Sequence, residues 1–153
     1  MIATPTGRLV LTALRAEDRD EVNARPASAR LLREVFAVAV RRCFAGRDTR
    51  DITPYVRDLL DRRGIPSAGA TARETEAVIR SVLGEPELVD GIPDERRLGM
   101  MILVVGDLAQ GAAREGAGSD AELLEALVNQ AETRVARFDP PSDGRPWRRR
   151  SPR

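Results

Sequence analysis

The sequence contains no histidine and no lysine, and it has only one cysteine among its 153 residues. Without histidine there is no Ser-His-Asp or Cys-His catalytic arrangement and no imidazole ligand for a metal. Without lysine there is no Schiff-base nucleophile and no phosphate-loop lysine. A single cysteine forms no internal disulfide and cannot build a thiolate zinc site. These absences argue against an enzyme and against a bound metal or other cofactor.

Aromatic residues are also scarce, at 3% of the chain, whereas hydrophobic residues make up 42%. The low aromatic content argues against a stacking platform for single-stranded nucleic acid. The longest uncharged apolar stretch, residues 98–106, is well below the ~18–20 residues that a membrane span needs. The N-terminal apolar patch, residues 9–14, is shorter than a typical secretory core of ~7–15 residues. We therefore expect a cytoplasmic protein without a transmembrane segment.

Charge is distributed in blocks, although the net charge of the whole chain is only +1. Residues 26–64 hold nine arginines against five acids, and residues 65–116 hold five arginines against nine acids. The last segment, residues 140–153, holds five arginines against one acid. A basic first half, an acidic second half and a basic tail bear on association with partners, not on the fold.

Five segments carry amphipathic helical periodicity, and none has a convincing strand pattern. Two capping boxes, at Thr71–Glu74 and Ser119–Glu122, mark helix starts, and Thr53-Pro54 reads as an N-cap followed by a first helical residue. Glycines follow three of the segments as stop signals. The sequence therefore predicts one all-α bundle of about five helices over residues 5–139, with a flexible arginine-rich tail over 140–153. The predicted helices are 28–45, 53–63, 71–84, 93–115 and 119–138.

The segment 93–115 is the most apolar of the five, with apolar residues on both faces of its middle turns. A helix of this kind is predicted to be central and enclosed by its neighbours. Gly99 and Gly106 lie seven residues apart, and their missing side chains predict the close approach of another helix. Asp107 interrupts the apolar pattern, so either that end of the helix is wet or Asp107 is buried and paired with an arginine. We favour the structural pairing.

The N-terminal apolar residues 9–14 fit two interpretations. They form either the apolar face of a helix that runs to about Asn23 or a short strand that pairs with a second chain in a dimer. The helix is favoured because the rest of the chain is all-α. Cys43 lies on the apolar face of segment 28–45, which predicts core packing rather than a reactive thiol.

Two arginine-rich regions are candidate interaction sites. One surrounds a helix end and a loop that leads into the next helix, where arginine forks beside free amides suit an anion. The alternative interpretation is that these arginines form no anion site. Acidic residues lie in the same loop, and arginine commonly occupies the last turn of a helix because it complements the helix dipole. The candidate anion-binding residues are Arg41, Arg42, Arg47 and Arg50.

The tail combines one aromatic residue with a basic run, at Trp147, Arg148, Arg149 and Arg150. Such a segment suits nucleic acid, an anionic membrane surface or an acidic protein face, including the acidic second half of its own domain. It also fits a solubilising end that binds nothing specific.

Taken together, these features predict a non-catalytic helical module for protein–protein interaction or regulation, with a protein partner or homo-oligomer. The alternative is a nucleic-acid-associated regulator that uses the arginine-rich loop and tail, with binding that falls steeply with salt.

Overall fold

A computed structural model describes residues 4–66 and 69–138 and confirms the all-α prediction. Six α-helices of 11 to 21 residues and one short α-helix of four residues pack into one bundle, and there is no strand in these two ranges. The tail residues singled out above, Trp147 to Arg150, lie outside the described part of the chain. The helices are α1 (Pro5–Ala16), α2 (Asp20–Asn23), α3 (Pro26–Phe44), α4 (Ile52–Arg62), α5 (Ala70–Ser81), α6 (Asp94–Arg114) and α7 (Asp120–Phe138).

The N-terminal apolar segment is helical, as favoured, but it forms two helices rather than one. The hydroxyl of Thr4 caps α1 by accepting a hydrogen bond from the Gly7 amide at 2.9 Å. At the other end Glu17 takes a left-handed conformation with φ of 53°, and this ends α1 after Ala16. The short α2 follows, with the Asp18 carboxylate accepting from the amide of Asp20 at 3.0 Å. The buried side of α1 therefore joins the core of its own chain.

Helix α3 is enclosed on all sides along its middle. Six consecutive residues, 35–40, are buried, so no face of this stretch reaches solvent. Helices α1, α2, α6 and α7 pack around it. Helix α6, which the sequence predicts to be central, buries Leu98, Ile102 and Val105 but leaves Met100 and Leu103 half-buried. The two helices thus share the centre of the bundle, and α3 is the more completely enclosed.

Helix starts follow the sequence signals in one case out of three. At α7 the Ser119 amide donates to the Glu122 carboxylate at 3.1 Å, and the Glu122 amide donates to the Ser119 hydroxyl at 3.2 Å, which is the predicted capping box. The predicted box at Thr71 is wrong, because α5 begins at Ala70 and places Thr71 inside the helix. Its intended partner Glu74 pairs instead with Arg96 of α6 at 3.1 Å.

The start of α4 also differs from the prediction by two residues. A 3-10 turn at Thr49–Asp51 runs directly into the helix, which begins at Ile52 rather than after Thr53. Ile52 is buried, so core packing extends the helix towards its N-terminus. The Thr53 hydroxyl donates to the Glu76 carboxylate of α5 at 2.9 Å instead of capping the helix.

The two glycines of α6 receive arginine side chains, not a neighbouring helix. A Cβ atom at Gly99 would lie 3.1 Å from Nη1 of Arg19, and one at Gly106 would lie 3.8 Å from Nη2 of Arg63. Arg63 is itself paired with Glu17, beside the break between α1 and α2. The expectation of a close helix crossing is therefore wrong, because long side chains fill the space that the glycines leave.

Candidate anion-binding cleft

Asp107 is buried on α6 and is held by two side chains of α4. The Tyr55 hydroxyl donates to Oδ2 at 3.0 Å, and Arg62 donates to Oδ2 from Nη2 at 2.9 Å and to Oδ1 from Nε at 3.3 Å. Tyr55 and Arg62 are seven residues apart, so two helical turns place them on the same face of α4. The favoured interpretation of Asp107, a structural pairing with an arginine, fits this geometry, and Tyr55 is an additional partner.

The electrostatics of this cluster keep its hydrogen bonds in place. Burial, together with the neighbouring Asp107 carboxylate, raises the pKa of the Tyr55 phenol far above its ordinary value. The hydrogen bond to Asp107 likewise raises the pKa of Arg62. The phenol therefore remains a donor at neutral pH. The Tyr55 ring also packs edge-on against Phe44 of α3, with ring centroids 5.2 Å apart, so the cluster ties α3, α4 and α6 together.

A cleft of about 450 Å³ opens above this cluster, between the end of α3, the loop that follows it, α4 and the last turns of α6. Four arginines and three acids line it, which gives the lining a net charge of +1. The arginines are Arg42, Arg47, Arg62 and Arg114, and the acids are Asp51, Asp107 and Glu115.

The four arginines differ in what they already contact. Arg62 is engaged by Asp107, and Arg42 donates to the side-chain oxygen of Gln130 on α7. Within the part of the chain that the structure describes, the guanidinium groups of Arg47 and Arg114 have no hydrogen-bond or ion-pair partner. Two planar, donor-rich groups beside a cleft are suited to carboxylate or phosphate ligands.

The sequence-predicted anion residues separate into two pairs. Arg42 and Arg47 line the cleft, whereas Arg41 and Arg50 do not. Arg50 is almost fully exposed and has an ion-pair distance of 3.9 Å to Asp48. The sequence analysis missed Arg62 and Arg114, which lie on α4 and α6 and are brought to the same place by tertiary contacts such as that of Arg62 with Asp107.

Cys43 lies at the edge of the core rather than inside it. Its side chain is half-buried, packs against the core cluster and also lines the cleft. Burial raises the pKa of the Cys43 thiol, and the nearby Arg47 and Arg42 act in the opposite direction. The thiol is therefore protonated at neutral pH. Because it is the only cysteine in the chain, it also serves as a chemical reporter for the cleft.

A larger pocket of about 530 Å³ lies between the α1–α2 connection, α5 and α6. Its two arginines are both paired, Arg19 with Glu95 at 3.5 Å and Arg96 with Glu74 at 3.1 Å. This pocket therefore offers a ligand less unused cationic capacity than the cleft beside Asp107 does.

Over residues 4–66 and 69–138, no group of three or more Cys, Asp or Glu side chains is placed to bind a metal ion. The helices in these ranges include none with the length and apolar character to cross a bilayer. No protein-family model matches the chain, and no curated protein and no solved structure is significantly similar to it.

Proposed function

We propose that the protein is a non-catalytic helical interaction module that binds an acidic segment of a partner protein at the cleft beside Asp107. The observation that carries this proposal is that Arg47 and Arg114 both line the cleft and that their guanidinium groups have no partner among the described residues. Arginine forks bind carboxylates in a bidentate manner and are enriched where interfaces carry most of their binding energy.

The chemistry of the lining supports binding rather than catalysis. Proton transfer needs a group with a free site and a partner that returns the proton. The buried carboxylate of the cleft, Asp107, already accepts hydrogen bonds from Tyr55 and Arg62. The Tyr55 phenol has a raised pKa and the Cys43 thiol does too, so neither is an activated nucleophile at neutral pH.

The charge balance of the lining favours a protein segment over a nucleic acid. A polyanion gains affinity by neutralising many phosphates at once, which requires an extended basic surface. Here Asp51, Asp107 and Glu115 accompany the four arginines and reduce the net charge of the lining to +1. Regulation through nucleic acid, with the loop arginines and the tail as contacts, is accordingly the second hypothesis.

A direct test measures the binding of a fluorescent peptide rich in Glu and Leu by anisotropy, in parallel with labelled DNA and RNA. We expect Arg47→Ala/Arg114→Ala to raise the peptide Kd about tenfold or more. The matched control, Arg41→Ala/Arg50→Ala, removes the same charge outside the cleft and should change the Kd by less than about threefold.

Two results would count against the proposal. Equal weakening by both double variants would show a diffuse charge effect and no defined site. Binding of DNA or RNA that falls steeply between about 50 and about 200 mM salt, without peptide binding, would replace it by the nucleic-acid hypothesis.

A further inference from the structure

Gly111 leaves a bare stretch of helix surface inside the cleft. A Cβ atom placed at this helical position would meet no atom within 4 Å apart from those of its chain neighbours and its own helix backbone, so the space is open. Its cleft-lining neighbours on α6 are Leu108 and Ala112, both half-buried. The surface of α6 around Gly111 is therefore apolar and has room for a side chain of a ligand.

The apolar wall lies between two charged levels of the same helix. Asp107, with its bound Arg62, is one turn below Gly111, and Arg114 is about 4.5 Å further along the axis on the other side. A ligand group that rests on Gly111 therefore lies within reach of Arg114, whose guanidinium has no partner among the described residues. Arg47, on the loop after α3, faces the same cleft.

Resting on the function proposed above, we infer that the acidic segment recognised here carries an apolar side chain next to its carboxylates. The apolar side chain packs on the surface of Gly111, while the carboxylates pair with Arg114 and Arg47. A volume of about 450 Å³ is within the range of small-ligand pockets, so it takes the side chains of a short segment and not a folded surface. The small net charge of the lining matches one or two carboxylates rather than a polyphosphate.

The test fills the apolar part of the cleft without changing its charge. Gly111→Leu inserts a side chain where the apolar group would sit, and leucine is a good helix former, so the helix is retained. We expect it to weaken binding of the Glu- and Leu-rich peptide about tenfold. It should leave unchanged the weaker binding of a second peptide in which every Leu is replaced by Ser. Ala126→Leu, at an exposed position of α7, is the matched control for added bulk and should have no effect.

The reactivity of Cys43 supplies an independent readout. Because this thiol lines the same cleft, peptide at a concentration near the wild-type Kd should slow its alkylation clearly in the wild-type chain and only slightly in Gly111→Leu. Gly111→Ala, which adds one methyl group, gives an intermediate effect and keeps the test open if the leucine variant folds poorly.

The outcomes separate this inference from the proposed function. If Gly111→Leu binds the Leu-containing peptide as tightly as the wild type, while Arg47→Ala/Arg114→Ala weakens it, the apolar contact is refuted and the charge-based site stands. If neither variant weakens binding, both proposals are refuted.

Discussion

Alkaline pH should destabilise the protein only through the ionisation of Cys43 and Tyr55. Because so few groups ionise, the energetic effect of the Tyr55–Asp107 contact can be measured. The chain has one tyrosine, one cysteine and no lysine, while arginine stays protonated above pH 12. Between about pH 9 and about pH 11.5, only Cys43 and Tyr55 therefore titrate. In a Cys43→Ala background, Tyr55 alone remains.

The direction follows from the raised pKa of Tyr55 in the folded chain. In the unfolded chain the phenol ionises near pH 10, whereas in the folded chain it keeps its proton to higher pH. The stability that comes from this difference is complete below the unfolded pKa and is lost as the pH rises towards the folded value. The slope approaches about 1.4 kcal/mol per pH unit, so at about pH 11.5 the loss reaches about 2 kcal/mol.

The assay combines urea unfolding at several pH values with the absorbance of tyrosinate near 295 nm. We expect Cys43→Ala to lose about 2 kcal/mol by about pH 11.5, and Cys43→Ala/Tyr55→Phe to show no such loss. The folded chain should show no tyrosinate signal near pH 10. A tyrosinate transition near pH 10 while the helical circular dichroism is retained would refute the buried contact between Tyr55 and Asp107.

Three further predictions concern stability and can be checked by urea or thermal unfolding. Arg62→Ala should lower the free energy of unfolding by about 2 kcal/mol, because the buried Asp107 carboxylate loses its charged partner. Water can replace part of the contact because Arg62 is half-exposed. A loss below about 0.5 kcal/mol would contradict the pairing. Ser119→Ala should lower the free energy of unfolding by about 1 kcal/mol, because it removes the capping box of α7. Thr71→Ala should leave stability nearly unchanged, because Thr71 lies inside α5, and equal losses in the two variants would contradict the observed start of α5. Gly106→Ala should stabilise the protein by about 0.5–1 kcal/mol, since the nearest atoms of other parts of the chain would lie 3.8 Å from its Cβ. Gly99→Ala should stabilise it less, because its Cβ would lie 3.1 Å from Nη1 of Arg19, and a larger gain at Gly99 would contradict this reasoning.

Sequence reasoning predicted the features that depend on local chemistry. The capping box at Ser119 forms because both of its members and the helix start lie within four residues. The equivalent signal at Thr71 failed because Glu74 gains an ion pair with Arg96 across to α6, a contact that local spacing does not show. The all-α fold itself followed from hydrophobic periodicity, which is a property of each segment alone.

The candidate site was less predictable because it is assembled from three separate helices. Arg42 and Arg47 could be proposed from their position at a helix end. Arg62 and Arg114 are 52 residues apart in sequence, and nothing in their local surroundings indicates that they share a cleft. The same applies to Cys43, whose helical pattern predicts burial but does not show that the neighbouring surface is open.

The claim that Arg47 and Arg114 create a cationic site beside Cys43 is tested most directly by the reactivity of that thiol. The measurement is the ratio of its reaction rates with an anionic and a neutral aromatic disulfide, in which the ionised fraction of the thiol cancels. Each guanidinium, as a unit charge about 8 Å from the anionic reagent in water, contributes about 0.5 kcal/mol of attraction. The rate ratio should therefore fall about fivefold in Arg47→Ala/Arg114→Ala and should also decrease with salt. An identical ratio in the wild type and the variant would contradict the account.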